Sequence, residues 1–313
     1  MMVDSFCAVI LDLILGDPRW LPHPVRLMGL LIAAEDRFVR KCTHSRRGLR
    51  FSGFLIVIFN LAVTLLVPYL LLHALRSYPI IYHFVHITLL YTCIAARCLR
   101  NEAIQVYHAL ERGLDVARDR LQYIIGRDTA HLNESEIVRA TVETVAENTS
   151  DGVIAPLLYA IIGGAPLALA YKMINTMDSM LGYLHEEYRD LGFFAAKTDD
   201  AANYIPARLT GFLMLLSSVF RFRVHEGFRI MIRDRRNHKS PNCAYPEGAV
   251  AGLLGVQLGG DNVYFGKVVH KPTIGDPHRP LARHDILHAL EILFRTEAGF
   301  LMLSGLLSLL ISS

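Results

Sequence analysis

Gly53-Phe-Leu-Ile-Val-Ile-Phe-Asn-Leu-Ala-Val-Thr-Leu-Leu-Val-Pro-Tyr-Leu-Leu-Leu-His-Ala-Leu75 contains no acid, lysine or arginine. At about 1.5 Å of rise per residue, a helix of this length covers the roughly 30 Å of a bilayer's hydrocarbon core. A tight turn at Arg76 to Pro79 follows, and Ile80 to Ala96 forms a second apolar stretch running back. Arg46, Arg47 and Arg50 precede the pair, and Arg97 and Arg100 follow it. Since basic residues beside spans stay in the cytoplasm, this hairpin is expected to enter and leave from that side.

Composition extends the reading to the whole chain. Of 313 residues, 52% are hydrophobic and only 19% charged, and the mean hydropathy of +0.33 is too high for an ordinary soluble domain. The expected fold class is all-α: a polytopic α-helical integral membrane protein. A single membrane-embedded domain over 1–313 is expected, with membrane helices near 5–15, 53–75, 80–96, 153–177, 205–220 and 298–311. Several of these runs are short or interrupted by Gly, Pro or charge, so broken or re-entrant helices are expected among them. Asn101 to Val142, mixed in charge with Ile104, Val106, Leu110, Leu114 and Leu121 at helical spacing, reads as amphipathic cytoplasmic helix. Within it, Asn133-Glu134-Ser135-Glu136 reads as a helix start.

A net charge of +3 gives no global basic field, which argues against nucleic acid as a partner. The basic residues instead form two groups, Arg37 to Arg50 and Arg221 to Lys239, read as cytoplasmic anchors. Cys7, Cys42, Cys93, Cys98 and Cys243 show neither a CxxC pair nor zinc spacing, so free thiols and no structural metal are expected. Phe6 to Leu15 lacks a preceding basic region and a following small-residue cleavage site, and reads as a retained membrane-associated helix.

Outside the apolar runs, turn residues punctuate the chain. Gly16-Asp17-Pro18-Arg19-Trp20-Leu21-Pro22-His23-Pro24-Val25-Arg26 carries three prolines and must be an extended loop. Gly163-Gly164-Ala165-Pro166 falls inside the run from Val153 to Met177. It either belongs to one continuous span or separates two half-helices, in which case the acidic groups before and after it could face one cavity. A helix carrying Gly248, Gly252, Gly255 and Gly259 is expected to pack closely on a neighbour. A second Gly-Asp-Pro stands at Gly275 to Pro277, before a polar helix from Arg283 and a final apolar helix from Ala298 to Ile311.

Chemistry concentrates between Thr141 and Arg208, where Glu143, Glu147, Asp151, Asn175, Asp178, Asp199, Asp200 and Asn203 lie among apolar stretches. Ionisable groups in such surroundings line a polar cavity, pair with one another, or bind an ion or substrate. Glu143, Glu147 and Asp151 recur every four residues and would share the face of one helix near its C-terminus, where the dipole adds to their mutual repulsion. A bound cation would relieve this, and oxygen ligands suit magnesium. Lys172, Asn175 and Ser179 share another face, with Asp178 beside it. These groups offer the anion donors and metal acceptors that phosphoryl chemistry requires. The bland alternatives are a solvated acidic face, polar bridges between helices, and Asp-Pro turns at both Gly-Asp-Pro sites.

The ordered blocks Asp12 to Arg19 with His23-Pro24-Val25-Arg26, Glu143 to Gly152, Tyr171 to Met180, Asp199-Asp200-Ala-Ala-Asn203, Ile205 to Thr210, Ser240-Pro-Asn242, Pro246-Glu247-Gly248 and Gly275-Asp276-Pro277 cover nearly the whole chain. Together they resemble the adenosylcobinamide-phosphate synthases, the CbiB/CobD family of cobalamin biosynthesis. The resemblance implies a multi-pass enzyme of the cytoplasmic membrane with its active site facing the cytoplasm. Its reaction would be an ATP-dependent amide ligation, joining adenosylcobyric acid to (R)-1-aminopropan-2-yl phosphate or ethanolamine phosphate. It implies ATP and Mg2+ as cofactors and the corrinoid and amino alcohol phosphate as substrates. The lipid bilayer and other cobalamin-assembly enzymes would be partners, and a homo-oligomer is a candidate state. Carried onto this sequence, Glu147 and Asp151, then Asp178 and Asp199, are the expected metal ligands. Glu143, Glu147, Asp151 and His23 are the catalytic candidates, Glu143 or His23 taking the amine proton. Asp17, Arg19, Arg26, Asn148, Lys172, Asn175, Asn203, Arg208, Asn242, Glu247 and Asp276 are the substrate-binding candidates. The rival readings are a polytopic transporter with a polar site at mid-membrane and a different membrane enzyme with an aspartate-bound metal, such as a phospholipid alcohol-phosphate transferase, whose tightly spaced aspartate motif is not complete here.

Overall fold

The protein is described from a computed structural model, covering residues 2–18, 20, 23–126, 128–182, 188–264 and 267–312, with the side chains of 262–268 and 311–312 left aside. Arg19, a substrate-binding candidate, lies outside the described residues. The fold is that of an all-α polytopic membrane protein. Helical stretches at Arg46–Ala74, Pro79–Arg112, Glu134–Leu181 and His284–Leu310 are long and apolar enough to cross a membrane, with Tyr204–Ser217 a shorter apolar helix. The chain divides into two compact units, Met1–Ala95 with Ala155–Asn203, and Ala96–Ile154 with Tyr204–Ser313.

The first unit contains α1 (Met2–Leu15), α2 (Pro24–Cys42), α3 (Arg46–Ala74), α4 (Pro79–Tyr91), α8 (Ala155–Leu181) and α9 (Phe193–Ala202). Local chemistry sets the starts of these helices. His23 caps α2, its Nδ1 accepting the Val25 N–H at 3.3 Å, with Pro24 in the first turn. Ser45 caps α3, its Oγ accepting the Gly48 N–H at 3.1 Å, so the helix starts in the basic cluster, ahead of the apolar run. α3 turns Phe54, Leu55, Ile58 and Phe59 outward and its one amide inward. Asn60 is fully buried and donates to Glu35 Oε2 on α2 at 2.7 Å. Such an apolar exterior around a polar contact is what a lipid solvent selects.

The run containing Gly163-Gly164-Ala165-Pro166 is broken. Gly163 (φ −140°, ψ 18°) and Gly164 (φ 66°, ψ −160°) leave helical geometry inside α8, and the second of these conformations is open essentially only to glycine. The break exposes the Ala165 N–H, and His86 Nε2 on α4 accepts it at 3.1 Å. Because Nε2 accepts, the ring proton sits on Nδ1 and is donated to Asp4 Oδ2 on α1 at 2.7 Å. His83 Nδ1 reaches the other oxygen of Asp4 at 3.0 Å. A buried carboxylate and two imidazoles thus fix the start of the second half-helix. After α1, Gly16 (φ 63°) accepts the Tyr91 hydroxyl on its carbonyl and opens the first Gly-Asp-Pro loop, where Trp20 is 77% exposed.

The second unit contains α5 (Ala96–Arg112), α6 (Leu114–Leu121), α7 (Glu134–Thr149), a π-helical turn (Ser150–Ile154), α10 (Tyr204–Ser217), α11 (Val224–Asp234), α12 (Ala244–Leu254) and α13 (His284–Ser312). Short antiparallel strand pairs join β1 (Leu258–Gly259) to β4 (Thr273–Ile274) and β2 (Asn262–Tyr264) to β3 (Lys267–Val269). α7 opens with a full capping box. Asn133 Oδ1 accepts the Glu136 N–H at 3.0 Å, and Glu136 Oε2 accepts the Asn133 N–H at 2.8 Å. The expected glycine helix is shorter than its spacing suggested: Gly255 adopts a left-handed conformation (φ 67°) that ends α12, and Gly259 lies in β1. Gly248 and Gly252 do allow close approach, since a Cβ at Gly252 would stand 2.6 Å from the Gly227 Cα of α11. The polar helix from Arg283 and the apolar helix from Ala298 are one element, α13.

Candidate active site

In the second unit, α7 and the loop before α12 bring acids together. The sequence placed Glu143, Glu147 and Asp151 near a helix C-terminus. Helical hydrogen bonding instead continues past Thr149 through the π turn, and Asp151 lies inside that turn. A π turn carries an extra residue and occurs frequently at functional sites, because it re-aims side chains that a regular helix would stack. Glu147 Oε1 accepts the Cys243 thiol at 3.0 Å. Burial, followed by the charges of Glu147, Asp151 and Glu247, pushes the Cys243 thiol well above its ordinary value, so it stays neutral and donates. Glu247 is buried in the first turn of α12, where the helix dipole favours a carboxylate. Ser150, next to Asp151, has a buried hydroxyl with no hydrogen-bond partner among the described residues.

The loop 238–243 is held by a relay of short-range bonds. His238 Nδ1 accepts the Ser240 N–H at 3.1 Å, Ser240 Oγ accepts the Asn242 N–H at 3.2 Å, and the Asn242 carbonyl accepts the Tyr245 N–H at 3.1 Å. With Nδ1 occupied as an acceptor, His238 carries its proton on Nε2. Burial lowers its pKa, and the opposing pull of Glu147 and Glu143 does not restore it, so the ring is neutral near pH 7. Asn242 Oδ1 in turn accepts from Arg208 Nη1 at 3.3 Å. The Arg208 guanidinium lies 3.4 Å from the Tyr204 ring centroid and 4.4 Å from that of Tyr245, within cation–π range of both rings, and its Nη1 also donates to the Tyr204 carbonyl at 2.6 Å. Three substrate-binding candidates, Arg208, Asn242 and Glu247, therefore belong to the elements that hold Glu147.

Other candidates in this unit are engaged by backbone or ion pairs. Glu143 Oε1 accepts the Gly259 N–H at 2.8 Å, and Arg139 donates to the carbonyls of Gly259 and Asp261, so this pair ties α7 to β1. Asn148 donates to the Thr144 carbonyl at 3.0 Å. Asp276 bridges Arg229 at 2.5 Å and Arg233 at 2.8 Å. Asp234 accepts the Gly275 N–H at 2.8 Å, so the second Gly-Asp-Pro turn is pinned to α11 by two carboxylates. Glu226, Asp276 and His278 have ligand atoms within 4.8 Å of one another, a spacing fit for a cation, but both arginines already share their charge.

The remaining candidates lie in the first unit. His23 Nε2 stands 3.0 Å from Asp17 Oδ1 while its Nδ1 caps α2, so this pair braces the loop. Arg26 is exposed in the first turn of α2. Lys172, Asn175 and Asp178 are half-buried along α8, and a Cβ at Gly182 would collide with the Asp178 carboxylate. Asn203 is buried with both ends of its amide used. Its Oδ1 accepts the Tyr171 hydroxyl at 2.7 Å, and its Nδ2 donates to Asp199 at 3.0 Å. Tyr159 stacks on Tyr171 at 5.0 Å and donates to the Ala202 carbonyl. The expected metal ligands thus divide, Glu147 and Asp151 in one unit and Asp178 and Asp199 in the other.

Glu147 and Asp151 offer the hard carboxylate oxygens that magnesium takes, one or two of them sufficing because it keeps waters and substrate phosphates. Among the described residues, the group whose ligand atoms lie within 4.8 Å of one another is instead that of Glu226, Asp276 and His278. His238 and Cys243 were not singled out as site residues from sequence. The signal was their place on either side of Ser240-Pro-Asn242, within reach of acids about a hundred positions earlier.

The CobD/Cbib protein family matches residues 5–293 of this chain. The cobalamin biosynthesis protein CobD of Clostridium tetani is 48% identical over 307 residues, spanning 97% of each chain. The protein of the same name from Clostridium acetobutylicum is 47% identical over 305 residues, spanning 96% of each. That of Geobacter metallireducens is 48% identical over 311 residues, spanning 97% of this chain and 96% of its own. No solved structure matches the chain.

Proposed function

Because the chain belongs to the CobD/Cbib protein family, which gives it a role in cobalamin biosynthesis, we propose that it is the amide ligase joining adenosylcobyric acid to an amino alcohol phosphate. The observation that carries this reading is the Glu147 carboxylate seated on the Cys243 thiol at 3.0 Å, with the charges of Asp151 and Glu247 acting on the same thiol and Arg208 bonded to the neighbouring Asn242. Ligation of an unactivated carboxylic acid needs a phosphoryl donor, and ATP would supply it, leaving ADP and, after amine attack, inorganic phosphate. Magnesium, when held by Glu147 and Asp151, would neutralise the nucleotide phosphates.

The protein's own groups then have defined work. Arg208, held beside two tyrosine rings and with Nη1 bonded to Tyr204 and Asn242, would offer its remaining donors to a phosphate or carboxylate oxygen. The neutral His238 donates from Nε2 and cannot take a proton on Nδ1 without losing the Ser240 N–H. The proton released as the amine attacks passes to a carboxylate of the Glu143–Glu147 face. Cytosolic ATP requires this site to be reached from the cytoplasmic side of the membrane.

The test is mass spectrometry of detergent-solubilised protein incubated with adenosylcobyric acid, aminopropanol phosphate, Mg2+ and ATP, beside the double variant Glu147→Gln, Asp151→Asn. An amide product from the unaltered protein alone supports both ligase and metal site. Product from both moves the metal elsewhere. The break at Gly163-Gly164 would also serve a transporter; no product from folded protein, with corrinoid carried unchanged across a vesicle, would favour that reading.

A further inference from the structure

Within the first unit, a cavity of about 490 Å³ is lined by Arg46, Arg47, Arg50, Arg189, Asp190 and Phe193. Its size falls in the range of small-molecule sites, and its composition is one-sided. Four guanidinium groups face one carboxylate, Asp190, which stands 3.9 Å from Arg46, leaving an excess of three positive charges. The cavity is built by a close approach. A Cβ at Gly53 would collide with the Leu191 carbonyl, so only glycine there lets the 189–193 stretch seat against α3. Arg50 is held with its guanidinium 3.7 Å from the Phe193 ring centroid. The N-terminus of α3 lies among these groups and adds the positive end of its dipole.

Depth along α3 identifies the occupant. The arginines occupy the first turns of the helix, and Phe51, Phe54, Leu55 and Ile58, all exposed, follow directly. A helix whose outward face turns apolar immediately after its basic turn places that turn at the level of lipid phosphates. We propose that this cavity binds the phosphate of an anionic phospholipid headgroup, with the acyl chains lying along the exposed apolar face of α3. Topological anchoring alone needs basic residues near a span. It does not need four of them gathered around one concavity against an aromatic ring.

Native mass spectrometry of protein in neutral detergent, offered equal phosphatidylglycerol and phosphatidylcholine, tests this. The unaltered protein is expected to retain phosphatidylglycerol selectively. Arg46→Gln, Arg47→Gln is expected to weaken retention by roughly 5-fold for each basic residue removed, about 25-fold for the pair. Both side chains are exposed, so folding is not at stake. The control Arg235→Gln, Arg236→Gln removes equal charge outside the cavity and is expected to retain the lipid. Equal loss in both variants would show a general field and overturn the site. Retention of ATP in lipid-free detergent, lost in Arg46→Gln, Arg47→Gln, without selection of phosphatidylglycerol, would assign the cavity to a soluble phosphate compound and overturn the lipid assignment.

Discussion

Replacing Gly164 with alanine tests the broken helix in a way that depends on sign. In a regular helix Gly→Ala stabilises by about 0.5–1 kcal/mol, because glycine loses more backbone freedom on folding. At Gly164 (φ 66°, ψ −160°) an L-residue carries strain of about 1–3 kcal/mol. The new Cβ would also stand 3.0 Å from His86 Nε2, the atom that accepts the Ala165 N–H. Disturbing that bond in a buried setting costs about 1 kcal/mol more. The sum is a destabilisation of about 2–4 kcal/mol. It would be read from equilibrium unfolding of detergent-solubilised protein followed by far-UV circular dichroism. His86→Ala should destabilise as well, and the double variant should lose less than the sum of the two, since both act on one hydrogen bond. A stabilised Gly164→Ala, or strictly additive losses, would refute the break and its histidine cap.

Arg208→Lys keeps the charge but loses the flat fork beside Tyr204 and Tyr245, so the proposed ligation should slow by roughly 10- to 100-fold, as for loss of a charged hydrogen bond, with a loss of stability of only about 1 kcal/mol; a lysine variant at full rate would remove Arg208 from phosphate or carboxylate binding. Arg233, then Arg229, hold the Asp276 carboxyl below its ordinary value, and Asp234 is also lowered because Arg233 and the Gly275 N–H outweigh burial. Groups lowered in the folded state contribute stability above their unfolded pKa and lose it as pH falls through the folded one, so acid unfolding should steepen below about pH 4. Asp234→Asn should flatten that limb. Exposed Cys42 should react with maleimide in the native protein at pH 7.5, while Cys243, neutral, buried and bonded to Glu147, should react only after unfolding; fast native labelling of Cys243 would contradict its role as donor.

Features written in local chemistry were legible in the chain. The long apolar helix α3 followed from its uncharged run, and the start of α7 from Asn133 and Glu136, whose side chains satisfy each other's backbone. Gly163-Gly164 signalled a break but not its cap, because Asp4 and His86 come from helices far apart in sequence. The site was legible as a list of acids and not as an arrangement. Periodicity put Asp151 on the face of Glu147, yet Asp151 lies in a π turn, where the regular four-residue spacing no longer holds. Glu143 finds its partner 116 residues away at Gly259, a pairing no spacing reveals. The glycine stripe overran its helix because Gly255 takes a left-handed turn, a choice that Gly248 and Gly252 do not share.

Trp20 is the chain's one tryptophan, and it stands exposed in the first Gly-Asp-Pro loop between Asp17 and His23. The molecule therefore carries a native fluorophore at a single address. Excited at 295 nm, it emits from that loop without competing signal, so a shift or quench on adding corrinoid, nucleotide or amino alcohol phosphate would tell which compound reaches the loop. A brominated lipid would tell how deep in the bilayer the loop rests. Neither readout needs a dye, a tag or a changed residue.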